Sequence, residues 1–92
     1  MSRIICYSKY KNRDVEVVGG WDEPLQYYHL TVFLRFPEPW ESEVVWENID
    51  NLGFTKNILP LKKQLEEMNI KVPDNFWPNC EEKAGNFVKR LT

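Results

Sequence analysis

The clearest alternation of apolar and polar positions runs from Gln26 to Phe36. Period-2 alternation with β-branched and aromatic residues is typical of a half-buried antiparallel strand. The even positions predict the core face of this strand: Gln26, Tyr28, Leu30, Val32, Leu34 and Phe36. The odd positions predict a solvated face that is unusually aromatic: Tyr27, His29, Thr31, Phe33 and Arg35.

Two shorter strand patterns precede this long one. Arg3 to Tyr10 predicts a first strand and Val15 to Val18 a second, and Gly19-Gly20 is expected to break the second strand. Short connections favour neighbouring strands, so the pattern predicts a three-stranded antiparallel meander. Val44 to Trp46 predicts a short fourth strand after Pro37 ends the third.

The second half of the chain carries helical spacing. Asn57 is suited to cap a helix from Ile58 to Asn69, with Pro60 in its first turn. A last helix is expected after Asp74, with this apolar stripe: Phe76, Cys80, Ala84, Phe87, Val88 and Leu91.

Strands followed by helices indicate an α+β fold. We predict a three- to four-stranded antiparallel sheet with two C-terminal helices packed on one face. The whole chain, 1–92, is expected to form a single domain. It would divide into a β-meander over 1–36, an acidic-aromatic connection over 37–56 and two helices over 57–92.

Length and composition narrow the classes of protein. A chain of 92 residues with 14% aromatic residues can bury one core without metal or disulfides. Cys6 and Cys80 fall on predicted core positions, which favours buried free thiols over a disulfide. The sequence has no apolar run of membrane-spanning length and no signal-peptide pattern, so we expect a cytoplasmic protein.

No residue pattern assigns catalysis, a cofactor or a metal. His29 is the only histidine, and one histidine with two distant cysteines makes no ligand cluster. The chain also lacks the dinucleotide-binding, phosphate-loop, zinc-protease and nucleophile-elbow motifs. We therefore predict no catalytic residues, no cofactor and no metal site, and we favour a protein that is not an enzyme.

The segment 37–50 is the most polarised part of the sequence. It carries five carboxylates and no lysine or arginine, and Trp40 and Trp46 are interleaved with them. One interpretation is a solvated loop and edge strand whose tryptophans fold back onto the sheet. The other is a recognition surface for a basic partner, since exposed aromatic residues are favoured interface anchors.

The odd face of the long strand is the second candidate surface. If the helices cover only the even face, a second protomer or another partner would fit this face, unless a tryptophan folds over it. The predicted contact residues of the acidic segment are Trp40, Glu41, Glu43, Trp46 and Glu47, and those of the odd face are Tyr27, His29 and Phe33.

These patterns favour a protein-binding accessory module of the adaptor, inhibitor or immunity type. Its partner is expected to be another protein, a homodimer stays open, and no membrane contact is predicted. The alternative is a small-molecule-binding protein or enzyme with a pocket near Asp22, His29 and Asn86. Nucleic-acid binding ranks third, because the net charge is -2. It would require a shared basic face formed by Arg3, Lys9, Lys11 and Arg35.

Part of the chain also resembles a group of short bacterial proteins of unknown function. The resemblance spans Val15 to Leu91 and rests on a Gly-aromatic-Asp-x-Pro-Leu step into an aromatic strand and on a Gly-Asn pair in the predicted last helix. The matching positions are Gly20, Trp21, Asp22, Pro24, Leu25, Gly85 and Asn86. The resemblance implies a bacterial source and attaches no activity.

Overall fold

The computed structural model of this chain describes residues 1–83 and 85–91, and it shows an α+β fold. The strands in the described residues are β1 (Ser2–Tyr10), β2 (Arg13–Asp22), β3 (Tyr27–Leu34), β4 (Val44–Glu47) and β5 (Phe87–Arg90). The helices are α1 (Asn48–Asn51), α2 (Leu59–Glu67) and α3 (Phe76–Cys80).

The strands form one mixed sheet in the order β4-β3-β2-β1-β5. The β1-β2, β2-β3 and β3-β4 pairs are antiparallel, as short connections require, whereas β5 pairs with β1 in parallel. The predicted three- to four-stranded antiparallel sheet with two C-terminal helices is therefore wrong. The sheet has a fifth, parallel strand, and the helical part of the described chain is three short helices.

The error in the predicted fold arose in the last helix. Its apolar spacing fits a helix, but only Phe76–Cys80 is helical, and Gly85 has a φ of 102° that helices do not contain. From Phe87 the backbone is extended. It pairs with the outer edge of β1, beginning at the Ser2–Phe87 pair. An open strand edge offers a full ladder of hydrogen bonds, which outweighs local helical spacing. Ala84 of the predicted stripe lies outside the described residues.

The Gly19-Gly20 pair does not end β2, because the strand continues to Asp22. A β-carbon at Gly19 would lie 3.0 Å from Phe76 Cζ and 3.1 Å from Cys80 Sγ, so α3 packs directly on the strand there. A β-carbon at Gly20 would lie 2.2 Å from the carbonyl oxygen of Ser2. The two glycines therefore permit close approach on opposite sides of the sheet rather than a turn.

The core lies between one side of the sheet, which we call the covered face, and the helices. Its fully buried side chains come from both layers: Ile4, Cys6, Val15, Val17, Leu30, Val32, Leu61, Leu65, Phe76 and Cys80. Both cysteines are free, and burial raises the pKa of the Cys6 thiol to about 12. These thiols are therefore packing residues at neutral pH.

Candidate functional site: the open face of the sheet

The side of the sheet opposite the helices forms the candidate site, which we call the open face. A shallow concavity of about 630 Å³ lies across it. Strand residues that alternate with the core residues line it: Arg3, Ile5, Tyr7, Glu16, Val18, Tyr27, His29, Thr31, Phe33, Glu43 and Glu47. Because alternate side chains of a strand point to opposite sides, the residues that build the core also present this second surface.

One row of residues crosses the open face from edge to edge. Register places Glu47 of β4 beside Thr31, Thr31 beside Val18, Val18 beside Ile5, and Ile5 beside Arg90 of β5. The row therefore has a carboxylate at one end, an arginine at the other and mainly apolar side chains between them. Val18, on the central strand, is its midpoint.

The β1-β5 half of the open face is basic. Arg90 Nη1 donates a hydrogen bond to the Tyr7 hydroxyl at 2.8 Å. The Arg35 guanidinium carbon lies 3.9 Å from the centre of the Tyr7 ring, and Arg3 lines the concavity nearby. Tyr7 thus orders two cationic side chains through its ring and its hydroxyl.

The β4 half of the open face is acidic. Glu43 and Glu47 line the concavity, and the pKa of Glu47 is raised by a hydrogen bond and charge repulsion from Asp50. Ion pairs between described residues join Lys9 to Asp14, Arg13 to Glu41 and Lys89 to Glu82. None of them uses Arg3, Arg90, Glu43 or Glu47. The two halves therefore keep opposite charges that the described part of the chain does not neutralise.

His29 lies between these halves, near the start of β1. Its Nε2 donates to the Ser2 carbonyl oxygen at 2.8 Å, which fixes the tautomer of the neutral ring. Burial lowers the pKa of His29, and the hydrogen bond to Ser2 opposes that effect only in part. The ring is neutral at neutral pH, with Nδ1 as an acceptor.

The three residues of the predicted small-molecule pocket do not share one cavity. Asp22 is buried and caps the β2-β3 turn, where its Oδ1 accepts a hydrogen bond from the Leu25 backbone at 3.2 Å. The side chain of Asn86 accepts a hydrogen bond from the Met1 amino group. Only His29 of the three lines the open-face concavity among the described residues.

The predicted acidic-aromatic contact residues are divided among four environments. Trp40 is 81% exposed, whereas Trp46 packs against the core on the covered face. Glu41 is held by Arg13 through two hydrogen bonds of 2.7 and 2.9 Å, which lower the pKa of Glu41 to about 2. Glu43 and Glu47 reach the open face, where they join the predicted Tyr27, His29 and Phe33.

The predicted basic face is also divided. Arg3 and Arg35 line the concavity, but Lys9 pairs with Asp14 at 2.6 Å. The Lys11 ammonium lies 5.2 Å from the Tyr10 ring centre, and Tyr10 packs against the core on the covered side. Three carboxylates share the concavity with the two arginines: Glu16, Glu43 and Glu47.

Sequence reasoning missed Arg90 and the pairing of Ile5, Val18 and Thr31 into one row. No local signal marks β5, because Phe87-Val88-Lys89-Arg90 is two apolar residues followed by two basic ones and lacks a period of two.

Comparison with protein families, with curated proteins and with solved structures finds no match to this chain. The resemblance to short bacterial proteins therefore stays a prediction. Within the described residues, no helix is long and apolar enough to cross a membrane. The same part of the chain holds no group of three or more histidine, cysteine, aspartate or glutamate side chains arranged to bind a metal ion.

Proposed function

We propose that this chain is a protein-binding accessory module that acts through the open face of its sheet. The observation that carries the proposal is the packing of α2 and α3 on one side of the sheet only. The buried residues of α2 and α3 join a single core on the covered face. The concavity on the other side stays lined by aromatic and charged side chains.

The composition of the open face supports protein binding. Tyr7 is 46% exposed and Phe36 is 68% exposed, and both line the concavity with Phe33 and two arginines. Tyrosine, phenylalanine and arginine are enriched in protein interfaces, where they supply much of the binding energy. An accessory role as adaptor, inhibitor or immunity-type protein needs such a surface and no reacting group.

The volume of the concavity supports a second candidate, the binding of a small molecule. Ligand pockets are typically about 300 to 1,000 Å³, and the concavity of about 630 Å³ falls in this range. His29 Nδ1 and the Arg3 guanidinium would be its polar contacts. If a small molecule fills the concavity, the open face would not be expected to bind a protein.

A photo-cross-linking pair tests the proposed function. A benzophenone amino acid replaces Phe36 on the open face or, as the control, Leu59 on α2, and these side chains are 68% and 62% exposed. We expect irradiation in the protein's own cells to give a discrete protein adduct from position 36 and none from position 59.

Mass spectrometry of the position-36 adduct then identifies the bound protein. Absence of any protein adduct from position 36, in variants shown to be folded, would contradict protein binding through this face. Adducts of equal yield from both positions would also contradict it, because they would indicate random collision.

A further inference from the structure

We infer that the partner on the open face is a second copy of this chain, packed face to face about a two-fold axis parallel to β2. This inference rests on the proposed function, because it names the protein that the same face binds. It follows from the way charge is distributed across the five strands.

The central position of β2 sets the geometry. A two-fold axis along β2 places β4 of one protomer over β5 of its partner, and β3 over β1. The acidic half of each open face then lies over the basic half of the other. An axis at right angles to the strands would instead place acid on acid and arginine on arginine, which is unfavourable.

The edge-to-edge row makes this match specific. Glu47 and Arg90 lie at the same level of the sheet, so the axis along β2 brings each Glu47 to the Arg90 of the other copy. The position of Val18, at the midpoint, lies nearest its own counterpart, and because Val18 is only 8% exposed, the larger side chains around it would make the contact there. Packed sheets lie about 10 Å apart, a gap that glutamate and arginine side chains can bridge from opposite sides.

The size of the open face is sufficient for such a pair. Five strands about 4.8 Å apart, with the eight residues of β3 at about 3.3 Å each, give a footprint of roughly 600 Å². Stable interfaces bury about 600 to 1,000 Å² per partner. The footprint lies at the lower end of that range, and Ile5, Val18 and Tyr27 within it are already buried in the single chain, so we expect a weak dimer that dissociates on dilution.

A second copy fits the charge pattern better than other occupants do. A basic protein would match Glu43 and Glu47 but would be repelled by Arg3 and Arg90. A nucleic acid would meet the same two carboxylates and Glu16. Only a partner that is itself acidic at one side and basic at the other satisfies both halves, and this chain is such a partner. Any further protein that uses the face competes with the dimer.

Charge exchange at the two ends of the row tests the inference. Glu47→Arg places arginine at both ends, and Arg90→Glu places glutamate at both ends, so each variant should repel its own copies. The double variant Glu47→Arg/Arg90→Glu restores opposite ends. Sedimentation equilibrium in low salt measures self-association, and circular dichroism checks folding. Glu66→Arg, on an exposed position of α2, is the matched control.

We expect a concentration-dependent dimer for the wild type and for Glu66→Arg, and at least a tenfold weaker dimer for each single variant. An equimolar mixture of the two single variants should form a heterodimer. The double variant should return to within about threefold of the wild-type dissociation constant. Wild-type dimerisation should also weaken as salt concentration rises.

A wild-type chain that stays monomeric at millimolar concentration would overturn the second-copy inference. Single variants that dimerise as the wild type does would also overturn it. If position 36 nevertheless cross-links to a different protein, protein binding by the open face stands and only the second copy is rejected. If position 36 gives no adduct, the proposed function itself is rejected.

Discussion

The two faces of the sheet use the same strands in opposite ways. On the covered face, uncharged side chains such as Ile4, Leu30 and Phe76 are fully buried against the helices. On the open face, the row that crosses the sheet is mainly apolar in the middle. It has Glu47 at one end and Arg90 at the other. Core packing on one side and a charged, partly aromatic surface on the other therefore alternate residue by residue along each strand, so substitutions on the two faces should have separable effects.

Truncating one phenylalanine on each face should show the largest difference in stability between the two faces. Phe76→Ala removes a side chain with 0% exposure, and we expect the free energy of unfolding to fall by about 3–5 kcal/mol. Phe36→Ala removes a side chain with 68% exposure and should change it by less than about 0.5 kcal/mol. Urea denaturation measures both. Equal effects would mean that the open face also carries the core.

The edge of β3, where the chain passes from β4 into α1, borders the open face, because Asn48 lines one side of the concavity. The buried Asn48 side chain replaces a strand partner there, since Oδ1 accepts from the Leu30 backbone at 2.9 Å and Nδ2 donates to the Tyr28 carbonyl at 3.1 Å. Asn48→Leu leaves both backbone groups without this partner and should cost about 2–4 kcal/mol in urea denaturation. A neutral effect would show that these bonds are replaced by water.

The close contact at Gly19 gives a direct test of packing on the covered face. Gly19→Ala inserts a methyl group against Phe76 and Cys80 and should lower the free energy of unfolding by about 1–3 kcal/mol. The penalty should be smaller when Cys80→Ala is also present, because the close contact with the Cys80 sulfur is removed. A thermal or urea double-mutant cycle measures this coupling, and simple additivity would contradict the contact.

The smallest predicted effect is the response of the open face to acid. Because folding lowers the pKa of His29, the stabilisation from its neutral form is complete above about pH 6.5 and declines as pH falls below that value. The unfolding free energy should therefore decrease between about pH 6.5 and 5, before most carboxylates titrate. His29→Gln, which keeps a donor for the Ser2 carbonyl, should flatten this slope. An identical slope in both proteins would exclude His29 as its source.

The alternating strands could be read from the sequence because period 2 is a local signal. Tyr28, Leu30 and Val32 are in the core as expected. Gln26 and Phe36, which were predicted for the same face, are instead exposed because β3 spans only Tyr27–Leu34. The strand at Phe87–Arg90 could not be read, because it exists only by pairing with a strand at the other end of the chain. Tertiary hydrogen bonding to β1 outweighed the helical spacing of these residues.

The candidate site was predictable only in part, for a related reason. Tyr27, His29 and Phe33 follow from alternation within one strand, and they share the open face. Glu43 and Glu47 were predicted together with Trp46, but alternation in β4 directs Trp46 to the core. The opposing arginine is supplied by β5, so the charge pattern appears only after the sheet order is known.

The parallel pairing of β1 with β5 has a consequence for the order of events during synthesis. The first strand acquires its outer neighbour only when Phe87 has been made, 85 positions after Ser2. At roughly 5–20 residues per second, that edge waits about 4–17 s on the ribosome. During this interval the β1-β2-β3 meander can form, because its contacts are local. The nascent chain therefore carries an unprotected strand edge for seconds, and β5 closes that edge only after Phe87–Arg90 has been made.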